Sequence, residues 1–258
     1  MRLFAMKYIV FGDESTLPEL KKLLYPNIAK YVIASNRSQA IESCGDFAIT
    51  QPKRNSIEYK NFVEQIRLVK PDLFICFSYS MILGEDLLQI PKYGSINIHG
   101  ALLPNYRGAN ALNWAIINGE SETGVTAHFM TNTVDGGPII LQETTPIYDH
   151  DDALTLKNRL DKIGMGMIFD IHTNLIHSKK LISYAQSYTD KEPLKRRCPD
   201  DGLIKWSEQS DLDIFNLVRA LVSPWPGAFF FDKSNNKIVL DKPIPLDAIA
   251  ELRKKYAS

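Results

Sequence analysis

Asn97 and His99 stand two residues apart in Ser95-Ile96-Asn97-Ile98-His99-Gly100, alternating with Ile96 and Ile98. Polar/apolar alternation predicts a strand. Residues two apart on a strand share a face, so Asn97 and His99 point one way and the two isoleucines the other. An Asn amide donates to a carbonyl oxygen, and a His moves protons near neutral pH. Gly100 ends the strand, and Leu103-Pro104 with Tyr106-Arg107-Gly108 predicts an irregular loop. Open α/β sheets build sites from groups at strand ends before such loops. The same pair can equally be a satisfied core His beside a loop-capping Asn. Asp135 tips the balance. It opens the turn Asp135-Gly136-Gly137-Pro138 after another strand pattern, at 124–130. A carboxylate brought there can fix the tautomer of His99 and stabilise its protonated form. An ordinary Asp-Gly turn is the plainer reading of the same residues.

The elements that must position these groups alternate between strand and helix. Residues 7–12 form a short apolar run ending in Gly12, a buried first strand, followed by a helix through Leu20, Leu23 and Leu24. Strands follow at 30–34 and, weakly, at 46–49. A helix is expected at 58–69 with Phe62, Ile66 and Val69 on one face. The continuous apolar run 72–77 predicts a strand buried on both faces. A loop at 77–84 leads into a helix at 85–90. Next come the 95–99 strand, a helix at 109–117 carrying Trp114 inward, the 124–130 strand, the Asp135 turn and a strand at 139–142. The longest helical pattern, 153–177, repeats Leu156, Leu160, Ile163, Met167 and Ile171 as a core face. Gly164 and Gly166 interrupt it, as a close helix–sheet contact would require. Residues 188–202 read as an extended connector, 204–206 as strand-like, 210–222 as a helix, and 228–232 with 237–240 as a hairpin. The expected class is α/β: a Rossmann-like, mostly parallel sheet with a small C-terminal helix and β-hairpin. The expected domains are 1–187, catalytic, and 188–258, connector and small C-terminal subdomain. One glycine stands at the first strand–helix turn, not the spaced three of a dinucleotide fingerprint, so NAD or FAD is not inferred.

Composition narrows the class. Lys+Arg and Asp+Glu are both 30, a formal net charge of zero, which gives no global attraction for nucleic acid or an anionic membrane. No apolar run reaches bilayer-spanning length. The N-terminus runs straight into a strand pattern rather than a signal peptide, with Met6 an alternative to Met1 as start. Cys44, Cys76 and Cys198 lie too far apart for zinc-ligand or disulfide-framework spacing. The expected compartment is the cytoplasm, with neither membrane nor nucleic acid as partner.

Asn97-Ile98-His99-Gly100, Leu102-Leu103-Pro104, Tyr106-Arg107-Gly108 and Asp135-Gly136-Gly137, in that order, resemble the signature of the N10-formyltetrahydrofolate-dependent formyltransferases. The likeness is strong over 70–145 and weaker elsewhere. It implies Asn97, His99 and Asp135 as the catalytic set, N10-formyltetrahydrofolate as co-substrate, and no metal. It also implies that the loop 77–83, with Tyr79, Ser80, Met81, Ile82 and Leu83, walls the pterin ring, with Thr133 and Val134 facing the same ring. The chemistry agrees. Formyl transfer to an amine needs a polarised carbonyl, which Asn97 can supply by donating to the developing oxyanion, and a proton acceptor. His99 and Asp135 stand side by side as candidates for that acceptor.

Methionyl-tRNA formyltransferases carry a basic C-terminal barrel and a basic insertion after the second strand. Ser258 comes too early for that full barrel, and 35–55 holds only Arg37, Lys53 and Arg54 as basic residues. Arg196-Arg197-Cys198-Pro199, Trp206 and Pro224-Trp225-Pro226-Gly227 are similar to formyltransferases of UDP-4-amino-arabinose and of dTDP-linked amino sugars. That resemblance implies a nucleotide-linked amino sugar as acceptor, expected as a dTDP-4-amino-4,6-dideoxyhexose, for surface-glycan (lipopolysaccharide O-antigen) biosynthesis. Tyr106, Arg107, Arg196 and Arg197 are the expected substrate contacts, since Arg forks match phosphate oxygens. A homodimer is expected, with 203–240 packed on the first domain. The rival readings are formylation of methionyl-tRNA or glycinamide ribonucleotide, and hydrolysis of the formylated folate.

Overall fold

The computed structural model describes residues 6–13, 15–34 and 48–256. The expectations for Ser35-Asn36-Arg37, for Cys44 and for the first residues of the chain lie outside them. The chain divides into two compact units. Unit 1 comprises Met1–His99, Val125–Gln142 and Ile163–Tyr188, and unit 2 comprises Gly100–Gly124, Glu143–Lys162 and Thr189–Ser258.

Unit 1 is built on β1 (Tyr8–Gly12), α1 (Leu17–Leu24), β2 (Ile28–Ala34), β3 (Ala48–Gln51), α2 (Ile57–Val69), β4 (Leu73–Phe77), α3 (Glu85–Leu88) and β5 (Ser95–His99). The chain continues through α4 (Ala111–Ile117), β6 (Glu122–Phe129), β7 (Ile139–Pro146) and α5 (Ala153–Ser178). The seven strands form one sheet in the order β3-β2-β1-β4-β5-β6-β7. Neighbours from β3 through β5 pair in parallel, and β6 runs antiparallel to β5. All five residues of β1 and of β4 are buried, the pattern of strands covered on both faces. The weak strand expected at 46–49 begins at Ala48 and pairs at the sheet edge with β2.

Helix α2 shows why these residues fold locally. Ser56 Oγ accepts a hydrogen bond from the Tyr59 amide at the first turn, a cap that contributes about 1 kcal/mol. Tyr59, Phe62, Val63 and Ile66 recur at helical spacing and bury against Ile9, Phe11, Val32, Phe74 and Cys76. Each such side chain withdrawn from water contributes roughly 1.5–3 kcal/mol. In α5 the two glycines differ. A Cβ on Gly164 would sit 2.9 Å from Ile98 Cγ2 and 3.1 Å from Phe77 Cζ, whereas one on Gly166 would meet nothing within 4 Å. Only Gly164 serves close helix–sheet packing.

Unit 2 holds α4, α6 (Asp211–Ala220), the hairpin β8–β9 (Ala228–Phe231, Lys237–Leu240) and α7 (Leu246–Tyr256). Ser210 and Asp213 form a reciprocal capping box that starts α6. Asn113 Nδ2 on α4 donates to the Ala220 carbonyl at 2.7 Å, tying α4 to α6. Asp151, 2% exposed, receives Arg159 through both guanidinium amines, at 3.1 and 2.6 Å. Phe230 is enclosed by Trp206 and Tyr256, so 203–240 shares its core with other parts of unit 2. The strand-like reading of 204–206 reduces to a single bridge between Leu203 and Phe229. Helix α7 was not expected. Among the described residues, no helix is long and apolar enough to cross a membrane.

Candidate active site

β5 carries Asn97 and His99 on one face, as alternation predicts. Asp135 reaches the same place from the turn between β6 and β7. Its φ of 46° is the left-handed region, which Asp tolerates better than most residues. Asp135 Oδ2 lies 3.6 Å from His99 Nδ1. Asn97 Nδ2 donates to Asp135 Oδ1 at 3.3 Å. The sequence-predicted trio therefore meets. The contacts are longer than ideal hydrogen bonds, as is common before a substrate tightens a site. His99 and Asp135 are both largely buried, which limits screening of the pair by water.

A fourth group joins them. His128, on β6 and 1% exposed, places Nε2 3.4 Å from Asp135 Oδ1 and 3.3 Å from Asn97 Nδ2. Its Nδ1 is 2.8 Å from the Phe129 carbonyl. A further residue fixes the turn: Gln186 Nε2 donates to the carbonyls of Asp135 and Gly137 at 2.8 and 2.7 Å. Gly137 is required sterically, because a side-chain carbon there would run into the Phe129 carbonyl oxygen. Sequence reasoning missed His128 and Gln186. The first appears in a strand without a role, and the second lies 51 residues from Asp135.

The loop 78–84 divides its residues. Leu83 is 3% exposed and belongs to the core packed around α2. Tyr79 packs edge-on against Phe11 and donates to Gln51 Oε1 at 2.7 Å, and burial pushes its phenol pKa up. Ser80 and Ile82 are exposed, and Met81 is half-buried. Thr133 and Val134 are exposed on the Asp135 turn. Tyr79 and Leu83 thus anchor the loop, while Ser80, Met81 and Ile82 are its accessible members.

The remaining expected contacts fall in unit 2. Tyr106 donates to Glu120 Oε1 at 2.5 Å and accepts from Asn118 at 3.1 Å. Burial, with Glu120 beside it, pushes the Tyr106 phenol up to about 12. The Arg107 carbonyl accepts from the Leu194 amide at 2.7 Å, which ties the 188–202 segment to the loop before α4. Arg196 and Arg197 line a pocket of about 180 Å³ with Asn110, Cys198, Pro199 and Trp225. Arg197 stacks its guanidinium 4.7 Å from the Trp114 ring centre and donates to the Asp201 carbonyl at 2.8 Å. Burial lowers its pKa. Arg196 is exposed.

The family described as Formyl transferase matches residues 3–170, and Formyl transferase, C-terminal domain, matches 198–248. The chain is similar to the bifunctional polymyxin resistance protein ArnA of Wigglesworthia glossinidia brevipalpis, 41% identical over 193 residues, covering 72% of this chain and 28% of that protein. The chain thus spans well under a third of that relative's length. Among solved structures it is similar to a 4-N formyltransferase from Francisella tularensis, with TM-score 0.75, 17% identity and 93% of this chain and 98% of that chain covered. A sugar N-formyltransferase from Shewanella sp. FDAARGOS_354 gives TM-score 0.72 and 20% identity, covering 93% of this chain and 98% of that chain. At such identities the likeness is one of fold. The sequence match to the first of the two domains runs through β5 and the Asp135 turn, and the chain belongs to the formyl transferase family.

Proposed function

We propose that this enzyme transfers a formyl group from N10-formyltetrahydrofolate to the amine of a nucleotide-linked amino sugar. The observation that carries the reading is the meeting of Asn97, His99 and Asp135 at the end of β5 in a member of the formyl transferase family. The neutral amine attacks the formyl carbon. A carbon–nitrogen bond forms to the amine, and the bond between formyl carbon and folate N10 breaks. Asn97 donates to the formyl oxygen as charge develops there. The amine proton passes to His99 or Asp135, and folate N10 leaves with a proton. Met81 and Ile82, on a loop that Tyr79 and Leu83 hold in place, and Thr133 and Val134, on the Asp135 turn, offer accessible surface for the flat ring.

The acceptor reading is supported by the sequence likeness to ArnA over 193 residues and by the pocket at Arg196. Exposed Arg196 offers a guanidinium fork that matches phosphate oxygens. Arg197 is already engaged with Trp114 and Asp201, and shapes the wall. The acceptor proposed is a dTDP-4-amino-4,6-dideoxyhexose destined for a surface glycan, with 3-amino sugars and UDP or GDP carriers as neighbours. Cytoplasmic location and a homodimer belong to the same reading; Phe231 and Val239 on the hairpin are exposed apolar residues suited to a subunit contact. Purified protein incubated with N10-formyltetrahydrofolate and each acceptor, followed by product mass, tests it. Formylation of an amino-sugar nucleotide is expected. Formylation of methionyl-tRNA alone, or formate release without an acceptor, would overturn it.

A further inference from the structure

Asn110 precedes α4 in the left-handed conformation, φ 57°, and its side chain does not cap the helix. Instead, Asn110 Oδ1 accepts the Arg197 backbone N–H at 3.0 Å. A backbone N–H only donates, so the atom facing it is the oxygen, and the amide cannot turn over. The two segments that meet there are tied twice more. The Leu194 N–H donates to the Arg107 carbonyl at 2.7 Å, and the Ala109 N–H donates to the Leu194 carbonyl at 3.1 Å. Gly108 permits that approach, since a Cβ there would lie 2.5 Å from the Leu194 carbonyl oxygen. Asn110 Nδ2 carries two hydrogens and makes no hydrogen bond among the described residues. It is a donor of fixed sense, on a residue that lines the pocket of about 180 Å³. Pro199, Leu221, Trp225 and Pro226 give that pocket apolar walls, and Arg196 brings a charge. Its volume is below the roughly 300–1,000 Å³ that encloses a whole small ligand, so it suits one flat ring of a larger molecule.

We propose that this pocket takes the nucleobase of the sugar nucleotide, and that Asn110 selects a base bearing a ring carbonyl, thymine or uracil. The inference rests on the amino-sugar nucleotide reading of the acceptor. Asn110 Nδ2 donates to the carbonyl oxygen, the apolar walls cover the ring, and Arg196 meets phosphate. An ordinary Asn answers either a donor or an acceptor by flipping its amide. Asn110 is held to one sense by the Arg197 N–H. Thymine and uracil present exocyclic carbonyl oxygens, whereas adenine presents an exocyclic amine, which would set donor against donor. Discrimination comes from that mismatch as much as from the match. Guanine also bears a carbonyl, so the contrast that isolates Asn110 is with adenine.

Isothermal titration with dTDP, UDP and ADP tests this without any formyl transfer. The wild-type protein should bind dTDP and UDP about ten-fold or more tighter than ADP. Asn110→Asp tolerates the left-handed backbone and keeps the acceptor for the Arg197 N–H, but sets an acceptor where Nδ2 stood. Its charge weakens every diphosphate alike, so the readout is the ratio of dTDP to ADP affinity, which should fall by about ten-fold or more. Asn110→Gly keeps the backbone conformation and removes the donor, and should bring the ratio toward one. A wild-type ratio near one, no binding of any of the three nucleotides, or a ratio unchanged in either folded variant would overturn the proposal. If Asn110→Gly fails to fold, Asn110→Asp decides by itself. The two readings fail separately. A preference for dTDP with no amino-sugar nucleotide formylated would sink the transfer reading and leave base selection standing. Formylation with unchanged ratios in the variants would do the reverse.

Discussion

Asp135 Oδ2 lies 3.6 Å from His99 Nδ1 across the end of the sheet, with both side chains largely withdrawn from water. Gln186 holds the Asp135 backbone carbonyl at 2.8 Å, while Asn97 donates to its carboxylate at 3.3 Å. Asp135→Asn should keep the left-handed turn, which Asn also tolerates. It should remove a proton acceptor and the charge that favours protonated His99, lowering kcat by roughly 10²–10⁴-fold. Thermal melting beside steady-state kinetics checks this, and a variant with intact kcat would exclude Asp135 from proton transfer.

The two glycines of α5 make a paired prediction. Gly164→Ala would press a methyl against Ile98 and Phe77, and should destabilise by about 1–3 kcal/mol. Gly166→Ala meets open space on an exposed face, and should stabilise by up to about 1 kcal/mol through helix propensity. Urea unfolding of both variants is the measurement. Equal effects would contradict the packing described.

Stability should fall in mild acid. His172 is partly buried, with the Tyr8 hydroxyl 2.8 Å from Nδ1, and burial lowers its pKa below the ordinary 6.5. The unfolded chain therefore takes up this proton first as pH falls. The contribution to stability is complete above about pH 6.5 and is lost as pH drops toward the folded value. His172→Phe should flatten the dependence of unfolding free energy on pH below about 6.5. An unchanged slope in denaturant melts would assign the effect elsewhere.

Much of this was legible in the sequence, for physical reasons. β1 and β4 are buried on both faces and so read as unbroken apolar runs. Asn97 and His99 declare a shared face by alternating with Ile96 and Ile98. Asp135 is visible because a Gly-rich turn must sit between two strands. His128 was not visible as a functional group, because its meaning comes from antiparallel register with β5, which one strand's pattern does not encode. Gln186 acts across 51 residues on backbone carbonyls, and backbone acceptors leave no trace in residue types. Helix α7 follows Pro243 and Pro245 and buries Ile249 alone, so its apolar stripe is thin. At 204–206 the residues bury Ile204 without laddering, which propensity cannot distinguish from a strand.

The hairpin makes the assembly testable. Phe229 and Phe230 are buried, while Phe231 is 48% exposed and Val239 49%. Light scattering at micromolar concentration should give a dimer mass, and Phe231→Asp should shift it toward monomer. A wild-type monomer would remove the dimer from the account.

The central claim is that Asn97 and His99 act on the transferred group itself. The most direct measurement is the single-turnover rate of formyl transfer to the accepted amino-sugar nucleotide in Asn97→Ala and His99→Ala, beside folate binding by the same proteins. Loss of one oxyanion donor typically costs about 2.7–4 kcal/mol, so the Asn97 variant should slow by about 10²–10³-fold. The His99 variant should slow at least comparably, and folate affinity should stay within about two-fold in both. Near wild-type single-turnover rates in both variants would contradict the mechanism.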